Sequence, residues 1–470
     1  MFTGTAETII TPPPGAPLLG TIQRSNGVHD DLYARAVVLS DGRTRVAIVC
    51  FDLIGMDMAL ADDIRSAIRN DSGITTTLLN CSHTHSAPFT IPWSVLGWRW
   101  TSGAGRNWRA ELPSRIAELV AQAEKAAETV VFRAGRAPVQ IGFNRRLPVN
   151  GGIVMKPNPA GVVVPWVDVL RIDRTDGSPL AVLFSHAAHP VIIHGASRQM
   201  SADYPGSATR ELKGHFEGRA MAMFAQACGA NINADPLRGG FAAADRAGAA
   251  LADAAFQASC SSEALSSLEL SIASTTVQIP LQPLPSYDEC LHMLKAAEEK
   301  FSECCGESES SDEQLWTIQD ELENAESQTN SSRADDVQPM EGRPWWLMDT
   351  ILCLRDLLMK IKSGDDRALR FEAHLLRIGN RWSLLAATHE LFAEFQLWFD
   401  ASAPTKYNMM LSYTNGCESY IPTDRDLASG GYEAASFPSI DGAALRYPYR
   451  RAIRTGSEQQ VIDCLASLYS

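Results

Sequence analysis

An apolar run, Thr77-Leu78-Leu79, leads into Cys81-Ser82-His83-Thr84-His85-Ser86-Ala87-Pro88, and this junction constrains the chain more than any other stretch. The run reads as the end of a buried strand. In extended backbone alternate residues share a face, so His83 and His85 turn both imidazoles the same way. Two rings beside the hydroxyls of Ser82, Thr84 and Ser86 suit a metal ion or a polar substrate. The plainer reading is two hydrogen-bonded structural histidines. The preceding residues supply a frame. Ala34–Leu39 and Arg45–Leu53 are apolar runs joined at Asp41-Gly42, a hairpin signal. Met58–Arg69 carries apolar residues at helical spacing and stops near Asp71-Ser72-Gly73. Strand, helix and strand with short joints make a βαβ unit, and ligands gather at the carboxyl ends of its strands. Asp52 lies at such an end, as a turn former or a ligand.

Composition removes several classes of function. The 470 residues carry a formal net charge of -14, which repels nucleic acid and anionic membrane. No apolar run approaches ~18 residues, so no transmembrane helix is expected. The first residues lack a basic region followed by an apolar one, so no export signal is expected. The 10 cysteines include no CxxC pair and read as reduced, mostly buried thiols, with Cys304-Cys305 exposed. The expected compartment is the cytoplasm.

The strand-then-histidine design recurs. Val167–Ile172 and Leu180–Phe184 form a hairpin through Asp176-Gly177, and the second strand runs into Ser185-His186-Ala187-Ala188-His189-Pro190, with His194 beyond. His186 and His189 cannot share a face in extended backbone, so at most one of them is a ligand. A third apolar strand, Trp382–Ala387, ends in Thr388-His389-Glu390. The HExxH zinc motif would need a histidine where Ala393 stands, so that reading fails. One ligand from each strand end, His83 or His85 with His189 and Glu390, is still a catalytic zinc set with an open position for water. Arg145, in Phe143-Asn144-Arg145-Arg146, or His85 would then stabilise an oxyanion. A second divalent ion could sit at Asp52.

Other stretches carry weaker signals. Trp93, Trp98 and Trp100, with Trp108 further on, sit in a Gly-containing loop and suggest a pocket wall or lid. Leu112–Thr129 reads as an amphipathic helix, Met221–Gln226 as a strand and Phe241–Phe256 as a helix. Residues 286–364 read as a helical insertion, with helices at Tyr287–Ser302, Asp312–Glu326 and Trp346–Lys362, a polar stretch at Asn330–Asp336, and Trp345 and Trp346 docking it on the main body. The catalytic body is then 1–285 with 365–470, a mixed α/β domain of mixed sheets flanked by helices.

His83-Thr84-His85-Ser86-Ala87-Pro88, Asn144-Arg145-Arg146, the strand ending at His189-Pro190, Ser201-Ala202-Asp203-Tyr204-Pro205-Gly206, Glu390, Tyr420 and Tyr432-Glu433 together resemble the neutral/alkaline (non-lysosomal) ceramidase family in its N-terminal catalytic domain. The resemblance runs from about Ile10 to Tyr432. It implies a zinc-dependent amidase in which zinc is held by His83, His189, Glu390 and Tyr420. It implies that His85, Arg145 and Tyr432 hold substrate and oxyanion. The tyrosine ligand comes from the resemblance alone.

Three departures shift the expected substrate. The family's Gly-Asp-x-Ser-Pro-Asn segment corresponds to Ala230-Asn231-Ile232-Asn233-Ala234-Asp235, so Asn233 stands where the family has serine. Asparagine cannot act as a nucleophile but can hydrogen-bond a substrate. Ala87 stands where the family usually has glycine, and the family's additional C-terminal β-sandwich domain is not expected here. The expectation is a zinc-bound water attacking an amide carbonyl of a small molecule other than membrane ceramide. The alternatives are an ester, lactone or glycoside hydrolase on the same scaffold, or a non-enzymatic binding protein. The sequence names no oligomeric state.

Overall fold

The structure is a computed structural model. It describes every residue except 17, 19–24, 89, 91–103, 267–268, 306–343, 436–441 and 470, and the backbone alone of 104–106, 304–305 and 344–346.

The fold is mixed α/β, built on two sheets. Among the described residues the larger sheet has nine strands. Eight of them run in the order Met221–Gln226, Pro179–His186, Trp166–Arg174, Glu128–Pro138, Phe2–Ile9, Tyr33–Ser40, Arg45–Phe51 and Thr76–Cys81, and Glu263–Ala264 pairs beside Glu128–Pro138. The centre is antiparallel, and the outermost pair at each end is parallel. The second sheet places Leu270–Ile279, Leu369–Ile378, Trp382–Ala387 and Tyr407–Leu411 side by side.

Period-two alternation explains the layering. In Arg45–Phe51, Val46, Ile48 and Cys50 pack between the sheets, while Ala47, Val49 and Phe51 pack outward with helices Met58–Ser72 and Ala104–Lys125. Pro179–His186 divides the same way. Ala181 and Leu183 face the second sheet, and Val182 and Phe184 face helices Asp203–His215 and Phe241–Cys260. Both faces are covered, which is why these strands are continuously apolar. Leu376, Leu384, Met409 and Leu411 answer from the second sheet.

The large sheet does not stay open. Seven inter-strand spacings of about 4.8 Å would separate its edge strands by roughly 33 Å if it were flat. Instead it curls until the edges meet. Gln226 N–H donates to Asn80 Oδ1 at 2.8 Å, and Asn80 Nδ2 donates to the Gln226 carbonyl at 3.2 Å. The segment after Tyr407–Leu411 is wedged in the same seam, where Asn80 Nδ2 also reaches the Ser412 carbonyl at 2.7 Å. The strand ends that carry histidines therefore converge.

Several elements depart from the sequence reading. The expected helix Leu112–Thr129 lies at Ala104–Lys125, and Thr129 instead starts into the long central strand Glu128–Pro138. Phe2–Ile9 and Leu270–Ile279 are also strands. Their alternation is broken by Thr, Ser and Gly, which leaves no apolar stripe to read. Helices Tyr287–Cys305 and Pro344–Ser363, in the stretch read as an insertion, lie in the chain between the paired strands Leu270–Ile279 and Leu369–Ile378. The helix expected at 312–326, the polar stretch at 330–336, Trp93, Trp98 and Trp100, and the side chains of Cys304, Cys305, Trp345 and Trp346 lie outside the described residues. Trp108 is no lid residue. It is buried, and its indole N–H donates to the Ile10 carbonyl at 2.6 Å. Among the described residues no helix is long and apolar enough to cross a membrane.

Candidate metal centre

The strand Thr76–Cys81 stops before the histidines. His83 has φ 68°, a left-handed turn rather than extended backbone, so the alternation expected for the pair does not apply. The turn still brings the rings together, with His83 Nε2 3.4 Å from His85 Nε2. His83 N–H donates to the Leu53 carbonyl at 2.9 Å, and the ring Nδ1 lies 2.5 Å from the Ile54 carbonyl. A carbonyl can only accept, so Nδ1 carries the hydrogen and Nε2 presents its lone pair.

His189 repeats this arrangement from the other half of the sheet. Its Nδ1 lies 2.7 Å from the Gly229 carbonyl, which leaves Nε2 as an acceptor. Glu390 Oε2 stands 3.2 Å from His189 Nε2 and 3.5 Å from His83 Nε2. Buried His189 Nε2 has no hydrogen-bond partner. Burial pushes the His83 pKa down to about 3 and that of His189 well below its ordinary value, so neither ring supplies a proton. Two lone pairs and a carboxylate oxygen converge with no N–H between them. That arrangement is stable around a cation. His83, His85 and His189 offer ring nitrogens within 4.8 Å of one another.

Glu390 is itself oriented. It starts a two-residue strand, Glu390–Leu391, paired in parallel with Tyr420–Ile421, and Glu390 is the register partner of Tyr420. Tyr413 Oη donates to Glu390 Oε2 at 3.2 Å, and Tyr447 Oη donates to Oε1. The Tyr413 ring also stacks obliquely on His83, with centroids 4.3 Å apart. Neither tyrosine was legible in the sequence. Tyr413 follows a strand by two residues, and Tyr447 lies in a stretch without motif character.

Beside this centre lies a charged network. Arg145 follows strand Gly142–Asn144, which pairs antiparallel with Ile232–Ala234. Its Nε donates to Glu433 Oε1 at 2.6 Å, Nη1 to Asn233 Oδ1 at 2.9 Å and Nη2 to Tyr420 Oη at 3.2 Å. Burial works against the Arg145 charge, but Tyr420, Glu433 and Glu390 outweigh it, and the pKa rises. Arg146 turns the other way. It pairs with Glu433 at 2.6 Å and Asp426 at 3.1 Å and bonds the Gly430 carbonyl. The Tyr420 and Tyr432 rings lie 6.2 Å apart, and burial raises Tyr432 to about 12. His85 Nδ1 is 3.2 Å from Nδ1 of His194, a partner the sequence did not single out. Burial lowers both rings' pKa values.

The chain matches no protein-family model and no curated protein. Solved structures do match. The crystal structure of neutral ceramidase from Pseudomonas aeruginosa superposes with a TM-score of 0.67 at 17% identity, over 99% of this chain and 74% of that one. The chain has a neutral ceramidase fold. A ceramidase complexed with C2 superposes with a TM-score of 0.67 at 16% identity, over 100% of this chain and 75% of that one.

Within this ceramidase fold the eight candidates form two adjoining groups, His83, His85, His189 and Glu390 and Arg145, Asn233, Tyr420 and Tyr432, and the His189–Asn233 backbone bridge joins them into one cluster. Other histidines at strand ends stay out of it. His186 Nδ1 bonds the Trp166 carbonyl, and His389 satisfies both nitrogens with the Arg370 carbonyl and the Glu418 N–H. Asp52 proves structural. Its Oδ2 accepts from Arg35 Nη1 at 3.1 Å and from Tyr33 N–H at 2.9 Å, so Arg35 already neutralises the place considered for a second ion.

Proposed function

We propose that this chain is a metal-dependent hydrolase acting on an amide bond, with His83, His189, Glu390 and Tyr420 around a zinc ion. The single observation that carries the reading is the convergence of two uncharged imidazole lone pairs on Glu390 Oε2, with one buried nitrogen left without a partner. Nitrogen, nitrogen and carboxylate oxygen are a catalytic zinc donor set. A divalent ion held there would bring a water pKa of about 7 and a Lewis acid for a carbonyl.

The surrounding side chains suit the remaining work. Arg145 stays charged at the edge of the centre, beside the proposed ligand Tyr420, and can receive an oxygen that gains negative charge, a contribution of ~3 kcal/mol for a well-placed donor. His85 is uncharged and shares Nδ1 with His194, which leaves its Nε2 on the His83 side to hold substrate or carry a proton. Asn233 gives its carbonyl oxygen to Arg145, which turns the amide N–H groups toward any substrate acceptor. Tyr432 closes the flank beyond Tyr420.

In this reading residues 1–285 and 365–470 carry the centre and 286–364 are an insertion. Asparagine in place of a family serine favours a small-molecule amide over membrane ceramide, and it also keeps an ester, lactone or glycoside as the second reading. Elemental mass spectrometry of purified protein tests the metal. About one zinc per chain is expected in the wild type and none in His189→Ala. A panel of amides, esters, lactones and glycosides then tests the bond, with amide turnover the expected result. Zinc-free protein after zinc is offered would overturn the proposal.

A further inference from the structure

Helix Pro344–Ser363 belongs to the stretch read as an insertion, yet two of its carboxylates reach the residues that flank a Glu390 partner. Asp349 Oδ2 lies 2.6 Å from Nε of Arg446, and Arg446 Nη2 donates to Thr350 Oγ1 at 2.8 Å. Seven residues on, two turns along the same helix face, Asp356 Oδ2 accepts from Arg450 Nε at 2.8 Å. Arg450 Nη1 then donates to the carbonyls of Leu445, Arg446 and Tyr447 at 3.0, 2.9 and 3.2 Å. Both arginines are buried. They bracket Tyr447, whose hydroxyl donates to Glu390 Oε1.

A helix that only covered apolar surface would not need these pairs. Leu347, Met348, Ile351, Leu354 and Leu357 already give it a buried apolar face. Taking ion pairs out of water costs about as much as their attraction returns, and what they add is a fixed geometry. The geometry fixed here is that of Tyr447. With Tyr413 on Oε2 and Tyr447 on Oε1, the Glu390 carboxylate is held at both oxygens and cannot rotate away from His83 and His189.

We propose that helix Pro344–Ser363 braces the metal centre: through Asp349 and Asp356 it fixes Arg446 and Arg450, and through them Tyr447, a positioning residue for the Glu390 carboxylate. The proposal rests on the metal-site reading above. It makes the helix part of the catalytic apparatus, and anything that moves the helix changes metal affinity at a site it never touches.

The test compares Tyr447→Phe, Asp349→Asn and, as a control, Glu298→Gln, which breaks the exposed pair between Glu298 on helix Tyr287–Cys305 and Arg355. Zinc affinity is read by competition with a chromophoric chelator, and ligand geometry by the visible spectrum of the cobalt-loaded protein. Removing a hydrogen-bond partner of a metal ligand weakens metal binding ~10–100-fold, the loss expected for Tyr447→Phe together with a shifted cobalt spectrum. Asp349→Asn should move both readouts the same way by less, ~3–10-fold, and Glu298→Gln should move neither. If Asp349→Asn fails to fold by circular dichroism, Asp356→Asn takes its place, since Asp356 is 28% exposed. Wild-type affinity and spectrum in Tyr447→Phe, or in the folded aspartate variant, would overturn the brace. A wild-type protein that binds neither zinc nor cobalt would instead overturn the metal-site reading, and the brace with it.

Discussion

In one half of the large sheet a hairpin (Tyr33–Ser40 and Arg45–Phe51) is followed by helix Met58–Ser72 and strand Thr76–Cys81. In the other half a hairpin (Trp166–Arg174 and Pro179–His186) is followed by helix Asp203–His215 and strand Met221–Gln226. The order is the same, and in both halves the last strand pairs in parallel with the second strand of the hairpin. The histidines differ. His83 follows the last strand of its half, whereas His189 follows the hairpin's second strand. The orienting carbonyl differs in the opposite sense. Ile54, after the hairpin, holds His83, and Gly229, after the last strand, holds His189. Each half thus supplies one ring from one strand end and the carbonyl that sets its tautomer from the neighbouring strand end. Neither half alone completes the proposed metal site, whose third proposed ligand, Glu390, comes from beside the second sheet. The scaffold repeats while the chemistry is divided.

The sharpest way to break this comparison is to remove one ring at a time. His83→Ala and His189→Ala should each abolish stoichiometric zinc, a loss of more than ~100-fold in affinity. Full metal retention in either variant would mean that one half suffices. Arg145→Met should keep the metal and lower kcat/KM on the best substrate ~100–1,000-fold, because it removes a charged donor beside the reacting oxygen. An unchanged kcat/KM would remove Arg145 from the chemistry. Asn80→Ala tests the seam that brings the halves together. It leaves the buried Gln226 N–H unpaired, while the Gln226 carbonyl keeps the Ser412 N–H and the Ser412 carbonyl keeps Thr414 Oγ1, and should cost roughly 2 kcal/mol in a urea melt. A melt like wild type would show that the curl is held elsewhere.

The pH dependence sharpens the same picture. Burial lowers His83 to about 3 and His186 to about 4, against 6.5 for an unhindered ring. The folded protein keeps these rings neutral, and the unfolded chain takes up protons below 6.5. Their contribution is therefore complete above pH 6.5 and is lost as the pH falls toward 3–4, by up to about 1.4 kcal/mol per pH unit for each ring. Thermal melts of metal-free protein should show a falling Tm from pH 7 to 4.5, and a flat profile would contradict the buried neutral rings. Asn233→Ala should have the smallest effect, ~3–10-fold in kcat/KM with zinc content unchanged, because Arg145 keeps its other two partners. A change in metal content would place Asn233 closer to the ion than its hydrogen bond implies.

Much of the architecture was legible because both sheet faces are buried. Runs such as Arg45–Phe51, Pro179–His186 and Trp382–Ala387 are continuously apolar, and Asp41-Gly42 and Asp176-Gly177 mark their hairpins. Strands Phe2–Ile9 and Leu270–Ile279 escaped notice because Thr and Ser interrupt their alternation. In the site, histidines and a glutamate at strand ends announced themselves by residue type. Tyr413, Tyr447 and His194 did not, since an isolated Tyr or His carries no local pattern.

The sequence by itself determined where strands stop and which metal-binding side chains stand at their ends, because alternation and turn chemistry are local. Only the tertiary structure decided that ends separated by more than a hundred residues meet. The curl of the large sheet, closed through Asn80 and Gln226, and the wedging of Ser412–Tyr413 into that seam are long-range backbone geometry. Only that geometry tells His189 from His186, and Glu390 from its neighbour His389. Each pair sits at one strand end, and the difference lies in which side chain finds its polar partners in its own surroundings and which is left facing the centre.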